Sequence, residues 1–276
     1  MQTPYSDLAA TTRDGVRLAA TLYNKDSTTA GRVVLIHSLA MDRSFWRPVA
    51  ERLAPQASVL TYDCRGHGVS GKPSGPVGVA RHADDLAELV DHLRWRSALV
   101  AGASMGGCIS LAFAIAHPTR VAALGLIDTT AWYGPDAPKN WEQRASAALS
   151  SGLGSLIDFQ LTRWFGEKFR ADHPDVVRDS VDVFLRNDVA AYAETCRMLG
   201  ACDLRQGLPA IKVPTAIVVG EEDYATPLAM AQALNAGIPN STLTVLKGAR
   251  HLTPLERPAD IAAALEQLLQ RAQQPS

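Results

Sequence analysis

The sequence predicts an α/β domain: a mostly parallel sheet covered by helices, with a helical cap inserted in its second half. Three observations predict it. Short, continuous apolar runs alternate with segments of helical spacing, the pattern of strands covered on both faces. A Gly-x-Ser-x-Gly turn, Gly102 to Gly106, joins one such run to a helical segment. After Asp128 the strand-like runs stop, and from about Trp132 to Gln206 only helical spacing is found.

The chain has 276 residues, 47% of them hydrophobic, enough for one large core or one domain with an insertion. With 27 basic and 28 acidic residues the formal net charge is −1. That balance argues against nucleic acid or a membrane surface as partner. Met1 to Leu8 is polar and lacks the apolar stretch of a secretory signal. No segment approaches the roughly 18 apolar residues of a membrane span. Cys64 and Cys108 lie in or beside apolar runs and read as small buried hydrophobes, and Cys196 and Cys202 lack zinc-ligand companions. The expectation is a cytoplasmic protein with reduced thiols and no metal site. The sequence is compatible with a homo-oligomer.

In chain order, Asp7 to Thr12 and Val16 to Tyr23 bracket Arg13-Asp14-Gly15, a hairpin signal. Arg32 to Ile36 is a buried strand ending in His37-Ser38-Leu39-Ala40, followed by helical spacing from Phe45 to Leu53. Ala57 to Tyr62 is the next strand, ending in Asp63-Cys64-Arg65-Gly66-His67-Gly68-Val69-Ser70. Val79 to Leu93 reads as an amphipathic helix with Asp84, Asp85, Glu88 and Asp91 on its polar side. Ala98 to Ala101 enters the Gly102–Gly106 turn, Ile109 to Ala116 leaves it as a helix, and Val121 to Ile127 is another strand. The sheet resumes at Thr215 to Gly220 and Thr242 to Leu246, and Ile261 to Leu269 closes the chain as a helix. The domain expectation is a core of residues 1–131 and 207–276 with a cap of residues 132–206.

Ligands of such sheets bind at the carboxyl ends of the strands, where His37, Asp63, Ser104 and Asp128 all fall. A serine on a tight strand-to-helix turn is a nucleophile elbow, and a helix N-terminus beside it offers amides to an anion. A serine hydroxyl needs a base to remove its proton. His251, after the final strand, is the candidate base. Asp223, after Ile217-Val218-Val219, is the candidate acid that orients it, and Asp128 is the rival acid. An oxyanion hole needs two donors. The amides of Met105 and Leu39 are the candidates, and Ser38 is placed to bind substrate beside them.

The chain resembles the α/β-hydrolase superfamily across nearly its whole length. The resemblance rests on Leu35 to Leu39, Tyr62 to Ser70, Gly102 to Gly107, Asp223 and Gly248 to His251. Within it, the chain is similar to the 3-oxoadipate enol-lactonases through Ser38-Leu39, Ser104 to Gly107, Asp128 to Trp132, Arg163-Trp164-Phe165 and Cys202 to Arg205. That family often has Asn-Ser-Leu-Gly where this chain has His37-Ser38-Leu39-Ala40. The resemblance implies that Asp63 and Arg65 brace loops. It also implies a cofactor-independent serine hydrolase whose partner is a small ester or lactone. A dicarboxylate lactone wants a cation, for which Arg144, Arg163 and Arg250 are candidates. Trp132, where the core passes into the cap, is the expected wall of the substrate pocket. A carbon–carbon bond hydrolase, a perhydrolase and a non-catalytic ligand receptor remain alternatives on the same triad.

Overall fold

The structure is a computed structural model, described for residues 5–24, 31–72 and 75–273. The leader expectation for Met1 to Leu8 falls partly outside these residues. The described residues form an eight-stranded sheet in the order β1-β2-β4-β3-β5-β6-β7-β8. β1 (Tyr5–Thr11) and β2 (Arg17–Tyr23) form the antiparallel hairpin, closed at Gly15 with φ +84°. β2 pairs antiparallel with β4 (Ala57–Tyr62), and every later pairing is parallel. These join β3 (Gly31–Ile36), β5 (Ala98–Ala103), β6 (Val121–Ile127), β7 (Thr215–Gly220) and β8 (Ser241–Leu246).

Burial explains the runs. β4, β5 and β7 are buried at every position, as a strand covered on both faces must be. Edge strand β8 alternates instead, and Val245 is exposed. Helix α1 (Arg47–Leu53) is preceded by a 3₁₀ turn, Arg43–Trp46, capped by the Asp42 side chain, so the stretch read as one helix divides in two. α2 (Val79–His92) packs on α3 (Met105–Ala116), which lies over β5 and β6. Helices α4 (Ala137–Ser151), α5 (Ile157–Trp164), α6 (Glu167–Asp172), α7 (Pro174–Leu185) and α8 (Val189–Gly200) follow between β6 and β7. α9 (Leu228–Gly237) joins β7 to β8, a helix not foreseen from the sequence. α10 (Thr253–Glu256) and α11 (Pro258–Gln273) end the fold. No helix among the described residues is long and apolar enough to cross a membrane.

One expectation about α2 is corrected. Asp85 is not on a solvated face; it is fully buried and takes two hydrogen bonds from Arg65, at Nε and Nη2. Arg65 also reaches Asp14 in the β1–β2 hairpin, and Arg81 pairs with Asp85 from one turn earlier. An unpaired carboxylate would be costly there, and the guanidinium fork removes that cost. Asp63 accepts from the Arg43 amide and guanidinium and from the Val69 amide. A Cβ at Gly68 (φ +52°) would lie 2.3 Å from the Asp63 carboxylate, so this loop needs glycine there. Asp63 and Arg65 therefore brace loops.

Ala40 takes the left-handed backbone (φ 59°) where the resemblance leads one to expect glycine. Its carbonyl accepts from Asn187 beyond α7. A Cβ in that conformation costs about 1–2 kcal/mol, partly offset by the chain entropy that alanine removes. Ala40→Gly is expected to raise stability by roughly 0.5 kcal/mol. Urea midpoints at constant m-value measure it; a lower midpoint in the variant contradicts the strain.

Candidate active site

The turn after β5 is tight for a steric reason. A Cβ at Gly102 would stand 2.1 Å from the Gly106 carbonyl oxygen, and one at Gly106 would stand 2.1 Å from that of Ile36. Between them Ser104 takes φ 53°, a strained value for a residue with a side chain. Its amide donates to Ile127 at the end of β6, and its carbonyl accepts from Thr129 Oγ1. The strain is thus held from both sides, and α3 begins at the next residue.

Ser104 Oγ lies 2.9 Å from His251 Nε2, and His251 Nδ1 lies 2.8 Å from Asp223 Oδ2. All three residues are buried. Asp223 also accepts from the Ala225 and Thr226 amides and the Thr226 hydroxyl. Burial pushes its carboxyl up, but His251 and the Thr226 donors outweigh that and hold it below the ordinary carboxylate range. The rival, Asp128, makes no hydrogen bond to His251. It accepts from the Gly220 amide and from Thr253, tying together the loops that carry Asp223 and His251. Burial, then the charge of Asp223, raises its carboxyl well above the ordinary range.

Ser38 and Leu39 line, with Ser104 and His251, a cavity of about 50 Å³. Among the described residues neither the Leu39 nor the Met105 amide donates a hydrogen bond. The Leu39 loop is held by His37. Its Nδ1 lies 2.8 Å from the Ser38 carbonyl, and Nε2 accepts from the Cys64 amide at 3.0 Å. Only a neutral imidazole with its proton on Nδ1 satisfies both, and burial lowers its pKa to about 4.

Two pocket expectations change. Trp132 does not line this cavity; it bridges to Asp203 and lies under the Arg205 guanidinium at 3.6 Å. The next residue, Tyr133, lines it instead, because successive side chains of an extended segment point to opposite sides. In the sequence, the signal for Tyr133 is the alternation of side chains along the segment after β6. Arg250 is likewise outside the cavity, donating to the Thr162 and Phe165 carbonyls. Arg144 and Arg163 do line it, and both extend into an adjoining cavity of about 500 Å³ that also shares Tyr133 and Trp141. No Asp or Glu lines either cavity among the described residues. Arg163 Nε is buried without a partner, and burial, then Arg144, lowers the Arg163 pKa.

The family model for the alpha/beta hydrolase fold matches residues 31–258. A 3-oxoadipate enol-lactonase 2 of Acinetobacter baylyi is 31% identical over 239 residues, covering 87% of this chain and 88% of that protein. Among solved structures, the enol-lactonase from Burkholderia xenovorans superposes with a TM-score of 0.91 at 32% identity, covering 95% of this chain and 100% of that one. A thermophilic esterase from Thermogutta terrifontis, solved with malate bound, gives a TM-score of 0.88 at 28% identity, covering 98% and 100%. The elbow at Ser104, the sheet order and this family match agree: the chain belongs to the α/β-hydrolase family.

Proposed function

We propose that this protein is a serine hydrolase that opens a lactone or cleaves a small ester through an acyl-enzyme. The observation that carries the reading is the continuous contact from Asp223 through His251 to Ser104 Oγ. Ser104 Oγ attacks the substrate carbonyl while His251 Nε2 takes its proton; Asp223 holds the imidazole and stabilises its positive form. The Leu39 and Met105 amides receive the oxyanion. His251 returns the proton to the leaving oxygen, which in a lactone stays tethered to the acyl group. A water activated by His251 then releases the acid. Residues 1–131 and 207–276 form the catalytic core in this reading, and 132–206 form a cap that limits access of water and shapes the pocket.

The substrate carries a free carboxylate in this reading. Arg144 and Arg163 line both cavities, neither of which has an acidic residue in its lining among the described residues, and an anion there relieves their mutual repulsion. Hydrolysis rates for matched lactones and esters with and without a free carboxylate test the class; equal rates overturn the carboxylate preference, and no turnover of either overturns the hydrolase. Arg163→Gln is expected to raise KM for the carboxylated member about 10–100-fold, the loss of one charge-assisted hydrogen bond, and to leave the neutral member nearly unchanged.

A further inference from the structure

Helix α5 buries two residues, Gln160 and Trp164, while its Phe159 is 46% exposed. That inverts the usual order, in which the aromatic ring goes inside and the amide stays in water. Gln160 and Trp164 lie one turn apart on one face of the helix, and both line the small cavity with Ser104 and His251. Gln160 is only 3% exposed, yet its side-chain amide makes no hydrogen bond with any described residue. The Ser38 hydroxyl, also 3% exposed and also lining the cavity, makes none either. Burying polar groups without partners is costly, and here two of them are held unpaired beside the nucleophile.

We propose that Gln160 is a specificity-determining residue that selects substrates carrying a hydroxyl on the first or second carbon from the carbonyl that Ser104 attacks. This deepens the hydrolase reading and rests on it. An amide presents one donor end and one acceptor end, and a hydroxyl like that of Ser38 can do either. The group that complements them must itself both donate and accept. Arg144 and Arg163 line the same cavity, so they repel an ammonium group and draw a carboxylate to themselves. A hydroxyl is the neutral group of one heavy atom that meets both demands, with Gln160 and Ser38 as its two partners. A cavity of about 50 Å³ admits only a few atoms beside the reacting carbonyl, which places that hydroxyl on a carbon close to it. The contact is made away from the bonds that form and break, so it acts alike on bound substrate and transition state and shows in KM rather than in kcat.

The test compares γ-butyrolactone with its 2-hydroxy and 3-hydroxy derivatives, each rate taken relative to hydrolysis by hydroxide alone. The parent protein is expected to favour one hydroxylated lactone over the plain one by about tenfold or more in kcat/KM, the effect of one or two neutral hydrogen bonds. This arm needs no variant, and a preference within twofold overturns the proposal. Gln160→Met keeps the length of the side chain and removes both polar ends. Its KM for the favoured lactone is expected to rise about tenfold with kcat nearly unchanged, while kcat/KM for the plain lactone holds or rises, because no amide is then left unpaired against it. Equal losses on both lactones would assign Gln160 to packing of the cap and overturn its part in selection. Labelling of Ser104 by a fluorophosphonate separates the two levels. Labelled parent protein that turns over none of the lactones overturns the hydroxyl assignment alone; unlabelled, inactive parent protein removes the hydrolase reading and this proposal with it.

Discussion

Ser104→Ala is expected to lower turnover of any accepted ester or lactone by about 10⁴–10⁶-fold, the range measured when a member of such a triad is removed. In the proposed mechanism the lost hydroxyl is the nucleophile, while the cavity, the two arginines and the Leu39 and Met105 amides all remain. The residual rate should therefore exceed the uncatalysed one, since oxyanion stabilisation survives. His251→Ala should cost a similar factor, and the double variant little more, because a base without its nucleophile does nothing. Initial rates for the three variants, each checked for an unchanged unfolding transition, measure this. Additive losses would argue that Ser104 and His251 act separately, and a Ser104→Ala enzyme within tenfold of the parent would remove the mechanism.

The parts of this arrangement that depend on chain order and strand ends could be read from the sequence. β4, β6 and β7 begin and end where their runs do, because nearly every position of a strand covered on both faces is buried and few of them are polar. The elbow was legible because Gly102 and Gly106 meet backbone oxygens that no Cβ could clear. What the sequence hides is the direction of single side chains. Trp132 and Tyr133 are neighbours of similar chemistry, and only the pairing of Trp132 with Asp203 decides which of them turns to the cavity. Asp85 shares a helix with three other acids, and its burial depends on Arg65, which comes from a distant loop. His37 looked like a departure from a family pattern. Its role as a two-ended tie between Ser38 and Cys64 needs both partners in space.

His37 also belongs to a buried group that is expected to set the acid limit of the fold. Its ring lies 5.1 Å from that of His67, and His82 in α2 is buried in the same region. Burial lowers His37 to about 4, burial and then His37 lower His67 to about 3, and burial and then His67 lower His82 to about 3. In the unfolded chain each titrates near 6.5. Between roughly pH 6.5 and 4 the unfolded chain therefore binds protons that the folded one refuses. The three histidines' contribution to stability then falls on acidification through that window, by up to about 1.4 kcal/mol per pH unit for each. Asp63, Asp85 and Asp128, raised chiefly by burial, act with the opposite sign, because the folded chain takes up their protons first. A difference measurement separates the two effects. His82→Gln should be less stable than the parent at pH 7.5, having lost a packed ring. The gap should narrow by about 1.4 kcal/mol per unit between pH 6 and pH 4, since the variant no longer pays for one neutral imidazole. Urea unfolding of both proteins at half-unit steps measures it. A gap that stays constant with pH would mean that His82 is protonated in the fold and that burial does not exclude its charge.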